Sequence, residues 1–414
     1  MRVDRLVLED FRNYEREEID LSGGLNLVVG RNAQGKTNLL EAIYCIGGFG
    51  SPRGPDAALV RNGAERALVH ADVTRGERTV HVDLEHRPGR GVRALLNGTA
   101  VPSMRALREL TASVFFGPDE LSLIKGSPDG RRRFLDELVV KLRPARDTIK
   151  REWDRVLKQR NALLRSAPRG GGAARSARET LVVWDEAFCN TGAELAAARL
   201  EVLSALTPYA AKRYEAIAGG GRLELSYQAS WLPGPISSPS TGHKGTARAG
   251  RRGDRLNGMD AETIDVASLR AALANALDEV RPRELERGMS LIGPQRDDVV
   301  VNLSSAGYAQ SLLDARAYAS QGDQRTCALA LKLAEHDLLT DTLGDHPILL
   351  LDDVFSELDP ARRAWLADAI RGIGQSLVSS AEPGALEAAD ASRVIRVEGG
   401  RVEGGRGVQG AGDG

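Results

Sequence analysis

Cysteine, histidine and aromatic side chains are all scarce in this chain, and each scarcity closes off a class of function. The three cysteines, Cys45, Cys189 and Cys327, stand apart with no CxxC pair among them. That excludes a disulfide framework and predicts a reducing, cytoplasmic setting. Six histidines are scattered without metal-ligand spacing. Aromatic residues make up 4% of the chain, too few for a platform on which single-stranded bases would stack. No apolar run approaches the roughly 18 residues of a membrane span. The opening Met1-Arg2-Val3-Asp4-Arg5 lacks the apolar core of a signal peptide, so no membrane partner is expected. A surplus of one charge is missing too: 56 basic residues face 57 acidic ones, a net charge of −1. Any nucleic-acid surface must therefore be a local patch.

What is present is organised around Gly30-Arg31-Asn32-Ala33-Gln34-Gly35-Lys36-Thr37. Gly, four residues, Gly-Lys and Ser/Thr is the phosphate-loop pattern. The run Leu25 to Val29 before it predicts a buried strand, and Asn38 to Ile46 after it predicts the start of a helix. Glycines at 30 and 35 let successive N–H groups turn inward on a phosphate, and a helix N-terminus adds partial positive charge. Lys36 would reach the β- and γ-phosphates of a nucleotide triphosphate, and the Thr37 hydroxyl would ligate Mg²⁺.

Residues 2–29 predict two strands joined through Phe11-Arg12-Asn13-Tyr14. Residues 67–74 and 80–84 alternate apolar and polar, Val92 to Leu96 continues the meander, and Asn97-Gly98 is a hairpin turn. An antiparallel sheet therefore follows the phosphate loop, where a simple nucleotide kinase would continue with another βα unit. Residues 129–218 predict helices, broken at Pro144 and by a Gly/Ala-rich loop at 169–175. Residues 233–258 are rich in Pro, Gly, Ser and Arg and predict a disordered insert. The stripe Val266, Leu269, Leu273, Leu277 and Val280 restores a helix, and the last 17 residues, with eight glycines, predict a tail. Helical pieces of this length leave no room for long coiled-coil arms.

Two further motifs complete a site. Ile348-Leu349-Leu350-Leu351-Asp352-Asp353 is a short apolar run ending in two acids. A buried parallel strand would deliver both to the carboxyl edge of a sheet, where α/β ligands bind. Asp352 would hold Mg²⁺, directly or through water, and Asp353 would orient or deprotonate the attacking water. Ser320, Gly322 and Gln324 open another helical run. They are either a second anion-binding end or, at Ser320, an ordinary N-cap.

Taken together these motifs resemble an ABC-type ATPase, and among those the RecF family of bacterial recombinational-repair proteins. The resemblance is carried by Asn32, by Gly35 to Ala42, by Pro118-Asp119-Glu120-Leu121 leading to Lys125-Gly126-Ser127-Pro128, and by Arg131 to Asp136. It continues through Gly293-Pro294-Gln295-Arg296-Asp297-Asp298, Tyr318 to Thr326, and Asp352 through Arg362. It implies an α/β fold: an ABC-type P-loop head with an antiparallel β-subdomain and an inserted helical lobe. The head would comprise residues 1–128 and 288–397, the lobe 129–287, and a Gly-rich tail 398–414. The resemblance implies an ATP-dependent homodimer with Lys36 and Asp352 of one chain facing Ser320 and Gly322 of the other. It implies binding to double-stranded DNA near single/double-strand junctions, slow ATP hydrolysis, and work with RecR and RecO in loading RecA. The pattern departs at several points: no Gln lies between Gln34 and Gln159, no His follows Leu377-Val378, Asp353 stands where most ABC ATPases have Glu, Gln295 stands where the family usually has His, and the insert at 233–258 has no counterpart in the family pattern. The first two, with the basic middle, argue against a transporter subunit.

Residues 131–165 hold twelve Lys and Arg against five acids. That face, with Lys150, Arg151 and Arg155 at its centre, would meet duplex phosphates without reading sequence. The alternative is a solvated helix face laced with ion pairs. For the phosphate loop the expectation is sharper. Lys36→Ala should remove a charge-assisted contact of about 1.5–3 kcal/mol from ATP binding. Calorimetry checks it, and unchanged affinity would remove the assignment.

Overall fold

Buried runs too short for helices form strands of a parallel sheet. In the computed structural model, Leu25–Val29, Ile348–Asp352, Ser376–Ser380 and Ser113–Phe116 are buried along their whole lengths, as strands covered on both faces must be. Their order is Arg401–Glu403, Arg393–Glu398, Leu25–Val29, Ser376–Ser380, Ile348–Asp352, Ser113–Phe116. All neighbours run parallel except the Arg393–Glu398 and Arg401–Glu403 hairpin. The structure describes residues 1–166, 172–237, 265–304, 312–381 and 391–403, with backbone alone for 172–179.

The chain divides into two compact units, Met1–Glu120 with Lys332–Gly414, and Leu121–Leu331. The first holds the parallel sheet and the expected antiparallel meander. That second sheet runs Tyr14–Asp20, Arg2–Phe11, Ala67–Arg75, Arg78–Arg87, Gly91–Leu96, Thr99–Ala100. Asn97 and Gly98 both take positive φ in the hairpin turn, the conformation that Asn-Gly supplies at least cost. The helix Lys36–Ile46 packs against both sheets, which explains why it is buried on nearly every side. Its Leu39, Leu40, Ile43 and Ile46 share one core with Leu6, Leu8, Val69 and Val82 of the meander and with Leu350 and Leu377 of the parallel sheet.

The second unit corrects the expected helical lobe. The helices Pro128–Leu142, Asp147–Ser166, Gly172–Ala218 and Val266–Arg287 are there. So is a four-stranded antiparallel sheet, Ile236–Ser237, Arg222–Gln228, Asp298–Ser304, Leu313–Asp314. Asp298–Ser304 pairs along its whole length with Arg222–Gln228. Residues 288–331 therefore belong with the middle of the chain and not with the head, and the expected limits 1–128, 129–287 and 288–397 shift accordingly. The predicted loop at 169–175 is helical from Gly172, where alanines of high helix propensity begin; residues 169–171 lie outside the described residues. In the expected insert, Ile236 is buried and pairs with Tyr227, and 238–258 lie outside the described residues. The first residues of the expected tail, 398–403, are ordered into a hairpin. Arg401–Glu403 turns back on Arg393–Glu398 through Gly399 and Gly400, both at positive φ, and 404–414 lie outside the described residues.

Several motifs that carried the resemblance are used here for structure. Arg131 is buried and binds both carboxylate oxygens of Asp298, at 2.7 and 2.9 Å. Arg199 binds both oxygens of Asp136 and the carbonyl of Pro294. Asp297 is fully buried and accepts from Tyr227 Oη at 2.6 Å and Trp231 Nε1 at 2.9 Å. Burial pushes the Asp297 carboxyl from about 3.8 up to about 6, with the Tyr227 hydrogen bond and Arg199 opposing. Between those two values the folded chain holds a proton that the unfolded chain has released, so this group's contribution to stability falls as pH rises through the window. Relative to Asp297→Asn, which mimics the neutral form, the unaltered chain should lose on the order of 2–3 kcal/mol between pH 4 and pH 7. Denaturant midpoints of both chains across that range test it; a constant difference would rule the shift out.

Candidate nucleotide site

The phosphate loop leaves the carboxyl end of Leu25–Val29 and enters the helix Lys36–Ile46, the strand–loop–helix setting that the motif requires. Glycine is demanded at both ends. A Cβ on Gly30 would sit 2.2 Å from the carbonyl oxygen of Val397. Gly35 has φ +120 and lies against Asn13 and the Tyr14 hydroxyl. Between them Ala33 is also left-handed, at φ 64. Lys36 is buried, and its Nζ donates to the carbonyls of Gly30 and Arg31 at 2.6 and 3.0 Å. Burial lowers its pKa, with Asp353 and Asp352 pulling the other way.

Thr37 and Asp352, the two expected Mg²⁺ ligands, lie side by side. Thr37 Oγ1 lies 2.9 and 2.8 Å from the two carboxylate oxygens of Asp352. Asp353 follows at φ 51, left-handed for a residue with a side chain, and its Oδ1 is buried with no hydrogen-bond partner among the described residues. A hydroxyl beside a carboxylate, with a second carboxylate oxygen unpaired, is a set of hard oxygen donors that fits Mg²⁺. Among the described residues no group of three His, Cys, Asp or Glu could hold a metal. A Mg²⁺ site that borrows phosphate oxygens needs no such group.

Several contributors were not foreseen. The turn Phe11 to Tyr14 reaches the loop: Tyr14 Oη donates to Gly35 O, Asn13 Nδ2 to Gln34 O, and Asn38 Nδ2 to Asn13 Oδ1. The C-terminal hairpin braces the same point, with Gly400 N donating to Gln34 O and Gly399 N to Gln34 Oε1. Within the helix Lys36–Ile46, fully buried Glu41 is bound by Arg12, Arg53 and Ser51. Burial alone would raise its carboxyl, but these hydrogen bonds outweigh it and hold the pKa below the ordinary range. Ser379 touches both acids, the Asp352 carboxylate and the Asp353 N–H.

The remaining candidates lie in the second unit. Ser320 caps the helix Gln321–Leu343: its Oγ accepts from Asp323 N at 3.2 Å and donates to Asp323 Oδ2. Gly322 is half-buried, and Gln324 is buried with its amide donating to Ala315 O. Lys150 pairs with Asp154, Arg151 with Asp147, and Arg155 with Glu152, all on one helix. The solvated, ion-paired face is thus what the side chains form in this structure. Arg131, Lys141 and Arg160 of the same basic run are buried. Among the described residues no helix is long and apolar enough to cross a membrane.

Known proteins resemble this chain over nearly its whole length. Residues 2–403 match the RecF/RecN/SMC N-terminal domain family. A DNA replication and repair protein RecF from Kineococcus radiotolerans is 43% identical over 398 residues, spanning 94% of this chain and 95% of that one. The solved structure of the recombination mediator protein RecF-ATP in the RecFOR pathway is 26% identical, with a TM-score of 0.78 over 97% of this chain and 98% of that chain. A likeness of fold alone extends to the Smc head bound to the C-winged helix domain of ScpA, with a TM-score of 0.52 at 16% identity over 97% of this chain and 96% of that chain.

The two acids should separate on mutation. Asp352→Asn keeps a side chain for Thr37 but removes a charged oxygen donor, and should raise the Mg²⁺ concentration needed for nucleotide binding. Asp353→Asn should leave Mg²⁺-dependent ATP binding in place and stop turnover. Calorimetry at several Mg²⁺ concentrations, beside a phosphate-release assay, tests the division. Equal loss of ATP binding in both variants contradicts it.

Proposed function

We propose, because this chain belongs to the RecF family of DNA replication and repair proteins, that it is an ATP-dependent DNA-binding protein of recombinational repair and replication restart. The observation that carries the reading is the grouping of Lys36, Thr37, Asp352 and Asp353 at the loop. On this reading residues 30–37 wrap the phosphates of ATP, and the Lys36 ammonium exchanges the carbonyls of Gly30 and Arg31 for phosphate oxygens. Thr37 and Asp352 hold Mg²⁺, which supplies charge neutralisation at the β- and γ-phosphates. Asp353 orients water for a slow hydrolysis, its arm one methylene shorter than that of Glu.

Dimerisation follows from the second helix start. Ser320, Gly322 and Gln324 of one chain complete the nucleotide site of the other, so ATP joins two heads and its binding is linked to dimerisation by mass action. The dimer holds duplex DNA near single/double-strand junctions and acts with RecR and RecO on RecA loading in the cytoplasm. Contact through Lys150, Arg151 and Arg155 requires each to leave its carboxylate for a phosphate.

The test is retention of duplex DNA by the full chain, with and without ATP, across a salt series. Retention should need ATP, ignore base sequence, and fall with salt at a log–log slope of about −0.9 per phosphate neutralised. Ser320→Arg should still bind ATP as a monomer but fail to dimerise or retain DNA. Retention that persists without ATP, or in the Ser320→Arg chain, overturns the reading.

A further inference from the structure

We propose that Ser379 is the positioning residue of the hydrolysis site, one hydroxyl that sets both acids at once. The inference rests on the roles given above to Asp352 and Asp353. Ser379 lies in the strand Ser376–Ser380, directly opposite Asp352 in the parallel pairing with Ile348–Asp352. It is wholly buried. Its Oγ donates to Asp352 Oδ1 at 2.6 Å and accepts from Asp353 N at 2.9 Å. A hydroxyl has one proton to give and lone pairs to receive, so both roles are met by one atom.

The second bond matters more than the first. The Asp353 carboxylate has one oxygen buried without a hydrogen-bond partner among the described residues, so its backbone must do much of the aiming. That backbone is left-handed, at φ 51, a conformation costly for a side-chain-bearing residue unless its surroundings hold it. The Asp353 N–H held by Ser379 is such a hold. Without the hydroxyl, this N–H loses its partner and the peptide can relax to negative φ, carrying the carboxylate away from the phosphate edge. Asp352 would lose one of its two hydroxyl donors and keep Thr37.

The test uses the full chain with duplex DNA, reading ATP turnover over a Mg²⁺ titration beside nucleotide binding by calorimetry. Ser379→Ala should bind nucleotide at saturating Mg²⁺ much as the unaltered chain does. Its kcat should fall at least about tenfold, the scale of a misplaced catalytic group, and its Mg²⁺ half-saturation should rise. Ser379→Thr, which restores the hydroxyl, should recover both. Asp353→Asn is run in parallel: if it turns over normally, the role given to Asp353 is wrong whatever Ser379 does. If Asp353→Asn is inactive while Ser379→Ala keeps full kcat and unchanged Mg²⁺ half-saturation, the Ser379 inference alone is overturned. A loss that Thr does not recover likewise assigns Ser379 to packing and overturns it. Should Ser379→Ala lose nucleotide binding, Ser379→Cys takes its place, since a thiol fills the site but donates weakly. It should then bind ATP and turn over slowly, and full turnover would overturn the proposal.

Discussion

Thr37 and Asp352 stand 315 positions apart, and their hydrogen bonds of 2.8 and 2.9 Å are the contact on which the head depends. To make them, strands from the two ends of the chain must alternate in one sheet: Leu25–Val29 lies between Arg393–Glu398 and Ser376–Ser380. Gln375 ties the same ends at another level, its amide exchanging hydrogen bonds with the N–H and carbonyl of Val3. Buried on both faces, such a sheet leaves no choice of register that would keep apolar side chains covered and still bring both acids level with the loop. The phosphate loop therefore cannot be treated as a local motif. Gly30 leans on Val397, Gly35 on Asn13 and Tyr14, and Gln34 on Gly399 and Gly400.

How much of this could be read beforehand follows from how local each signal is. The phosphate loop, its flanking strand and helix, and the acid-ended strand at 348–352 were legible because each is a contiguous run with its own periodicity or spacing. The meander was legible for the same reason, down to the Asn97-Gly98 turn. The bracing residues were not. Nothing in Arg12, Glu41 or Arg53 taken singly announces that two guanidinium groups neutralise one buried carboxylate. Ser379 follows Leu377-Val378 with nothing in the sequence to mark its role; only the parallel register at Asp352 shows what its hydroxyl touches.

The middle unit shows a second limit, that of charge read from composition. The run from 131 to 165 carries a basic surplus, yet Arg131 is bound to Asp298, and Arg160 to Asp185 and Glu284, within the folded interior. Those acids are far away in sequence, so a window count misses them. The sheet was missed for a related reason. Val299-Val300-Val301 and the alternation Leu223, Leu225, Tyr227 carry strand signals, but they sit either side of a Pro/Gly-rich stretch that hides their pairing. Guanidinium groups are suited to such interior work because they stay charged and match a carboxylate in two places.

These two limits bear jointly on the proposed switch. The chain as a whole is close to neutral, with a net charge of −1, and its basic side chains at 150, 151 and 155 are already paired. Exposed pairs of this kind contribute little, about 0.2–1 kcal/mol each, so phosphates can displace the carboxylates at small cost. A neutral monomer gains correspondingly little from one such face. Two faces held together by the proposed shared nucleotide would gain more, because the second would engage at high effective concentration once the first is bound. On the proposed reading, weak local attraction is what lets nucleotide state decide whether DNA is held. A strongly basic face would bind DNA in either state and leave ATP nothing to control. The slow hydrolysis proposed for Asp353 would belong to the same logic, since the lifetime of a shared nucleotide would then set the lifetime of the DNA-bound dimer.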